Sequence, residues 1–226
     1  MQRRRQLQRE FAGYPFLTED VDLEKAVDIL TERYRDDFCV SDSFSARFIE
    51  QLMYNGFLPM ASMSSLTRGE VLMPKLHQRR SLVLLDPGKR QVHKSTLKKS
   101  AKFTFSINTC FEKVCEGIVE QHGQNWFYPK LVEAFVECNR NPRHDYVRVV
   151  SFEVYSSNDG KLVAGECGYV CGKVYTSLSG FCFADSAGTV QMQCLHKKCP
   201  GQNLFNSCDG SAPSPSPRSP LLTLFE

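Results

Sequence analysis

No apolar run in the sequence approaches the ~18 residues that a membrane-crossing helix needs. The start, MQRRRQLQREFAGYPF, is basic but has no apolar stretch followed by a cleavage site, so it does not read as a secretory signal. Early acids (Glu10, Glu19, Asp20) and the lack of serine there weaken a transit-peptide reading. The GxSxG, HExxH and Walker signatures are absent, and with them the sequence case for a serine hydrolase, a zinc protease or a P-loop NTPase. Charge of one sign is also short: 28 Lys and Arg face 25 Asp and Glu, a net +3. That excess is too small to name a nucleic-acid partner, so distribution must decide. Tryptophan occurs once, at Trp126, and no internal repeat is visible.

Cysteine is plentiful, with ten residues, but CxxC pairing is missing. Zinc sites favour paired ligands at such spacings. Cys194, His196, Cys199 and Cys208 form an irregular alternative. Several cysteines sit in apolar strand or helix patterns without a secretory signal. The expectation is reduced, buried thiols in a cytoplasmic protein with no metal.

What is present is core material: 42% hydrophobic residues and sixteen phenylalanines in 226 residues. The segment TEDVDLEKAVDILTERY predicts a helix with a cap-like Thr18. SDSFSARFIEQLMYNGF repeats the device, capped by Asp42 or Ser43 and closed at Asn55-Gly56. GEVLMPKL and RRSLVLLD read as β-structure around His77, followed by an Asp86-Pro87-Gly88 turn. Two amphipathic helices come next, one capped by Asn108 and stopped near Gly123, the other with Pro129 in its first turn. Three strand candidates then form an antiparallel meander. Asn158-Asp159-Gly160 joins the first two, and Cys171-Gly172 joins the last two. After about Gln193 the chain becomes rich in Pro and Ser, the composition of a poorly ordered tail. The N-terminal QRRRQLQR reads as a disordered arm.

The order of these pieces resembles the leucyl/phenylalanyl-tRNA–protein transferase family. Four blocks carry the likeness: Gly56-Phe57-Leu58-Pro59, VHKSTLKKSAKFTFSINTCFEKV, NWFYPKLVEAFVEC and SFEVYSSNDGKLVAGECGYVCGKVY. Trp126, Pro129, Val132 and Ala134 fall in step, as do Ser151, Glu153, Val154, Gly160, Leu162, Val163, Gly165, Gly168 and Gly172. The resemblance implies an α+β protein with a GNAT-like mixed sheet and helices. A small N-terminal α/β domain would span 1–84, an aminoacyltransferase domain 85–192 and the tail 193–226. It implies aminoacyl-tRNA and proteins with an exposed N-terminal residue as partners, no cofactor and a monomer. The reaction would move Leu, Phe or another amino acid to a protein N-terminus and mark that protein for degradation. A non-catalytic RNA- or protein-binding remnant of the fold is the alternative, and an acyltransferase using another small donor a third.

The departures bear on the site. The family's pocket glutamate becomes Leu178, within Ser177-Leu178-Ser179-Gly180, and its aromatic pocket residue falls on Tyr175. The family strand that carries its catalytic carboxylate and amide has no counterpart. The resemblance therefore assigns no catalytic residue and implies a chain incomplete on its C-terminal side. A Cys171-Gly172 turn would pair Val170 with Lys173 and set Glu166 opposite Ser177, beside Leu178. Glu166 would then restore the lost carboxylate; the plainer reading is a solvent-facing strand glutamate. The implied aminoacyl pocket is Glu166, Tyr175, Leu178, Ser179 and Trp126. Arg79, Arg80, Lys89, Arg90, His93, Lys94, Lys98, Lys99 and Lys102 form the densest basic cluster. Contact with tRNA phosphates is the functional reading of that cluster, with an ordinary solvated face as the alternative.

Overall fold

Side-chain caps set the N-terminal helices. Asp22 accepts the Lys25 amide at 3.2 Å and opens helix α2, Leu23–Arg33. Ser45 accepts the Phe48 amide at 3.3 Å and opens α3, Ala46–Tyr54. The caps thus lie downstream of the expected Thr18 and of Asp42 or Ser43. The computed structural model describes residues 2–81 and 94–198, with the side chains of 194–198 outside it. The expected Asp86-Pro87-Gly88 turn, most of RRSLVLLD, Lys89, Arg90, His93, Cys199 and Cys208 all lie outside the described residues, as do the side chains of Cys194 and His196.

The chain divides into two units. The first combines the described residues of Met1–Arg80 with Gln124–Asp145. Its basic start is a helix, α1, Gln2–Glu10, rather than a disordered arm. The reason is tertiary. Leu7 is fully buried with Val40 and Val71, and Arg4 makes a two-pronged contact with Asp42, at 2.9 and 3.0 Å. The Arg3 guanidinium donates to the Glu70 carbonyl at 2.6 Å. A two-stranded antiparallel sheet, β1 Ala61–Met63 with β2 Glu70–Leu72, packs in the same unit. So does helix α6, Pro129–Arg140, whose buried Leu131, Ala134, Phe135 and Cys138 form its apolar face. Proline at its start costs no hydrogen bond there.

The second unit takes the described residues of Ser81–Gly123 and Tyr146–Pro213. It holds α4 Lys94–Ser100, β3 Phe103–Ile107, α5 Phe111–His122, β4 Val147–Ser156, β5 Leu162–Cys171, β6 Val174–Cys182 and α7 Ala187–Lys198. The four strands are antiparallel in the order β3-β4-β5-β6. Helices and antiparallel sheets make the protein α+β. Asn108 does not cap α5, whose N-cap position is Cys110. Asn108 instead adopts φ +54 and accepts the Ser151 amide at 2.8 Å, tying the β3–α5 loop to β4.

Both faces of the central strands are covered. On one, Val114 and Gly117 of α5 crowd the Phe181 ring against Gly165. On the other, Ala187 of α7 packs with Val154 and Ala164. Burial therefore runs almost unbroken along β4 and β5 instead of alternating.

Candidate functional site

The hairpin of β5 and β6 differs in register from the sequence expectation. Cys171 pairs with Val174, so the turn residues are Gly172 and Lys173, and Gly172 takes the positive φ of +56 that the turn demands. Gly168 then pairs with Ser177 and Cys167 with Ser179, leaving Leu178 as the extra residue of a bulge. Glu166 consequently faces Gly180, not Ser177. Ser179, opposite Cys167, lies on the other face of the sheet from Glu166.

Glu166 is not solvent-facing either; only 4% of it is exposed. Its carboxylate accepts the Tyr175 hydroxyl on Oε1 at 2.8 Å and the Gln191 side-chain amide on Oε2 at 2.8 Å. Gln191 comes from α7 and is itself buried. Two close approaches leave room for the group. The Tyr175 ring lies across Gly168, and the Gly165 carbonyl approaches Gly180, which faces Glu166 across the strands. The Tyr175 ring is held edge-on by Phe152, with centroids 5.3 Å apart at 89°. The glycine-rich composition around a lone glutamate thus has a geometric cause.

Glu153 is the contrasting buried carboxylate. It accepts from the hydroxyls of Ser106 and Ser151 and from the Thr109 amide, all within β3, β4 and the loop after β3. It ties strands together, whereas the Glu166 donor Tyr175 is half-buried on β6. Among the described residues β6 has no strand on its far side. At its end that edge is met by α5: His122 Nε2 lies 2.8 Å from the Gly180 carbonyl, and the Cys182 amide donates to Gln121 at 2.7 Å.

The remaining candidates belong to both units. Trp126 belongs to the first unit, stacked on Phe127 at 4.7 Å, with its carbonyl accepting the Ala61 amide. Arg79 and Arg80 also lie in that unit. Arg79 is exposed, while Arg80 donates to the Gly56 carbonyl. Lys94, Lys98, Lys99 and Lys102 are exposed on and just after α4 in the second unit. Leu178 and Ser179 are half-buried on β6. Sequence reasoning missed Gln191, because nothing in AGTVQMQ marks that glutamine as interior.

The buried cysteines are chemically quiet. Burial pushes the thiols of Cys39, Cys115, Cys138, Cys167 and Cys171 up, Cys39 to about 12. No helix among the described residues is long and apolar enough to cross a membrane.

Residues 84–215 match the family described as leucyl/phenylalanyl-tRNA protein transferase. The match takes in the whole four-stranded sheet with Glu166, Tyr175 and Gln191. It continues past Tyr175, where the last of the four blocks ends, and it leaves out the Gly56-Pro59 block. No curated protein matches the chain. With more than half its residues inside that match, the chain belongs to the leucyl/phenylalanyl-tRNA protein transferase family, a family of aminoacyltransferases.

Proposed function

We propose that this protein transfers leucine, phenylalanine or another amino acid from charged tRNA to the N-terminus of a protein, and so marks that protein for degradation in the cytoplasm. The carrying observation is the buried Glu166 carboxylate, reached by the half-buried Tyr175 of an edge strand, inside the segment that matches the family. An aminoacyl ester is already activated. The enzyme has to hold two substrates together, take a proton from the amine and steady the oxyanion.

In this reading Glu166 and Tyr175 border the aminoacyl group, with Leu178 at the bulge of the same strand as Tyr175, while Ser179, on the other face of the sheet, does not. The exposed lysines 94, 98, 99 and 102 meet the tRNA phosphates, since a diffuse polyanion suits flexible point charges. An antiparallel meander with helices on both faces is consistent with a GNAT-like domain acting as a monomer. The deciding experiment is transfer from radiolabelled leucyl-, phenylalanyl- and arginyl-tRNA to peptides with basic or acidic N-termini. Incorporation of label into at least one peptide is expected. No incorporation from any of the three, with the tRNAs bound, would reduce the protein to a binding remnant.

A further inference from the structure

The arginines of α1 divide into two pairs. Arg3 and Arg4 fasten the helix to the first unit, through the Glu70 carbonyl and the Asp42 carboxylate. Arg5 and Arg9 stand two places to either side of the buried Leu7, which in a helix is the opposite face, and both are exposed. Arg68 is exposed as well, on the loop between β1 and β2 that Glu10 holds against the end of α1. The ion pairs found among the described residues involve none of Arg5, Arg9 and Arg68. The acids beside them are engaged elsewhere: Glu10 with Ser64 and Ser65, Asp42 with Arg4, and Glu70 with the Lys130 amide. Folding does not ask for these charges. Arg3, Arg4 and Arg5 crowd the first turn of α1, where the aligned peptide dipoles already leave positive charge and no acid offsets it. Arg5 and Arg9, four residues apart on one face, repel each other. Glutamine would serve the helix as well at either place.

We propose that Arg5, Arg9 and Arg68 form a docking surface on the first unit for the sugar–phosphate backbone of the tRNA; this rests on the aminoacyl-transfer reading above. A tRNA presents phosphates along its whole length, while the ester occupies one end. Contacts made away from the ester therefore add affinity without touching the reaction. The guanidinium suits that task, because it keeps its charge at every working pH and meets two phosphate oxygens at once. Such contacts read the backbone and not the bases. The surface is separate from the lysines of α4, which belong to the second unit. An anionic membrane is the other polyanion that attracts a basic helix, but a helix on a membrane surface also lays an apolar face into the lipid. The one apolar residue of α1 is Leu7, and it is buried against Val40 and Val71.

The test is the salt dependence of binding to charged and uncharged tRNA, read by fluorescence anisotropy. It compares the wild type with a triple variant, Arg5→Gln, Arg9→Gln and Arg68→Gln, and follows thermal unfolding of both. Each phosphate contact contributes roughly 0.7–0.9 to the slope of log K against log salt, so the triple variant should flatten the slope by about 2–3. The change should be the same for both forms of the tRNA, because the surface meets phosphates and not the ester. The variant should unfold at no lower temperature than the wild type, since it loses a repulsion and no partner. Lys25→Gln with Lys161→Gln, at cations already paired with Asp22 and Asp159, should move the slope by less than one contact. An unchanged slope in the triple variant, with a wild type that binds tRNA, overturns the surface and leaves the aminoacyl-transfer reading standing. Lost affinity in step with a lowered unfolding temperature would make the arginines structural and overturn it as well. So would wild-type binding to phosphatidylserine vesicles that the triple variant loses while its tRNA slope stays, which would give the face to a membrane. A wild type that neither binds charged tRNA nor transfers from it overturns both readings together.

Discussion

Tyr175 lies across Gly168. A Cβ added at Gly168 would fall 2.5 Å from the Tyr175 hydroxyl oxygen and 2.4 Å from the Thr176 carbonyl oxygen. The second contact is with backbone and cannot be relieved by a rotamer change. Gly168→Ala should therefore destabilise the protein by about 1–3 kcal/mol, the usual range for forced overpacking. Gly13→Ala, where nothing lies within 4 Å and φ is not positive, is the control and should stay within about 0.5 kcal/mol. Urea unfolding of the two variants decides it, and equal midpoints would contradict the packing argument.

How much of this was legible in the sequence depends on the range of the forces involved. The Asn158-Asp159-Gly160 connection between β4 and β5 is a local signal, and Gly160 does take a positive φ of +67. The next hairpin turn is local too, but Cys171-Gly172 and Gly172-Lys173 differ by a single step, and one step reverses every face. The bulge at Leu178 adds a second shift. Glu166 was readable as unusual but not as buried. Its burial depends on α7, and Gly188, Thr189 and Gln191 give that segment no clear apolar stripe. The same holds for α1. Its one buried apolar residue, Leu7, is covered by Val40 and Val71, more than thirty positions away. Core partners at that distance leave no periodicity behind.

Glu166 and Gln191 should be energetically coupled. Truncating Glu166 to Ala leaves the Gln191 amide and the Tyr175 hydroxyl without this acceptor, at a cost of about 1–3 kcal/mol. A solvent-facing strand glutamate would cost within about 0.5 kcal/mol. The double-mutant cycle with Gln191→Ala should return a coupling of about 0.5–3 kcal/mol, because the two groups touch at 2.8 Å. Strict additivity would mean that the contact does not persist in solution.

Acid should loosen the N-terminal helix. The hydroxyl of Ser64, then the hydroxyl and amide of Ser65, hold the Glu10 carboxyl down to about 2. The unfolded chain keeps the ordinary value near 4.3. A depressed folded value contributes stability that is present above the unfolded value and lost as pH falls through the folded one. The loss should therefore run from about pH 4.5 down toward 2. Hydrogen exchange of the α1 amides over that window checks it. Glu10→Gln should remove the pH dependence attached to this contact, and an unchanged profile in that variant would rule the contact out as its source.

The last expectation concerns RNA and rests on four exposed amines. Lys94, Lys98, Lys99 and Lys102 lie on and just after α4, and the ion pairs found among the described residues involve none of them. Lys25 and Lys161 differ, being paired with Asp22 at 2.8 Å and with Asp159 at 3.3 Å. Each phosphate neutralised by a lysine releases condensed counterions, and the dependence of log K on log salt steepens by roughly 0.7–0.9 per contact. If all four lysines meet the tRNA backbone, changing them to Ala should flatten the slope by about 3 and weaken binding with little regard to sequence. The Lys25→Ala and Lys161→Ala double variant carries half the charge change at sites already matched by acids. It should move the slope by less than one contact. Comparing the two variants separates a docking surface from a general effect of net charge. A slope that falls only in proportion to the charge removed, wherever it is removed, would argue that α4 has no special place in tRNA recognition. Arg80→Ala adds a further contrast. Its guanidinium is committed to the Gly56 carbonyl within the first unit, so this change should lower the stability of that unit while leaving the salt slope where it was.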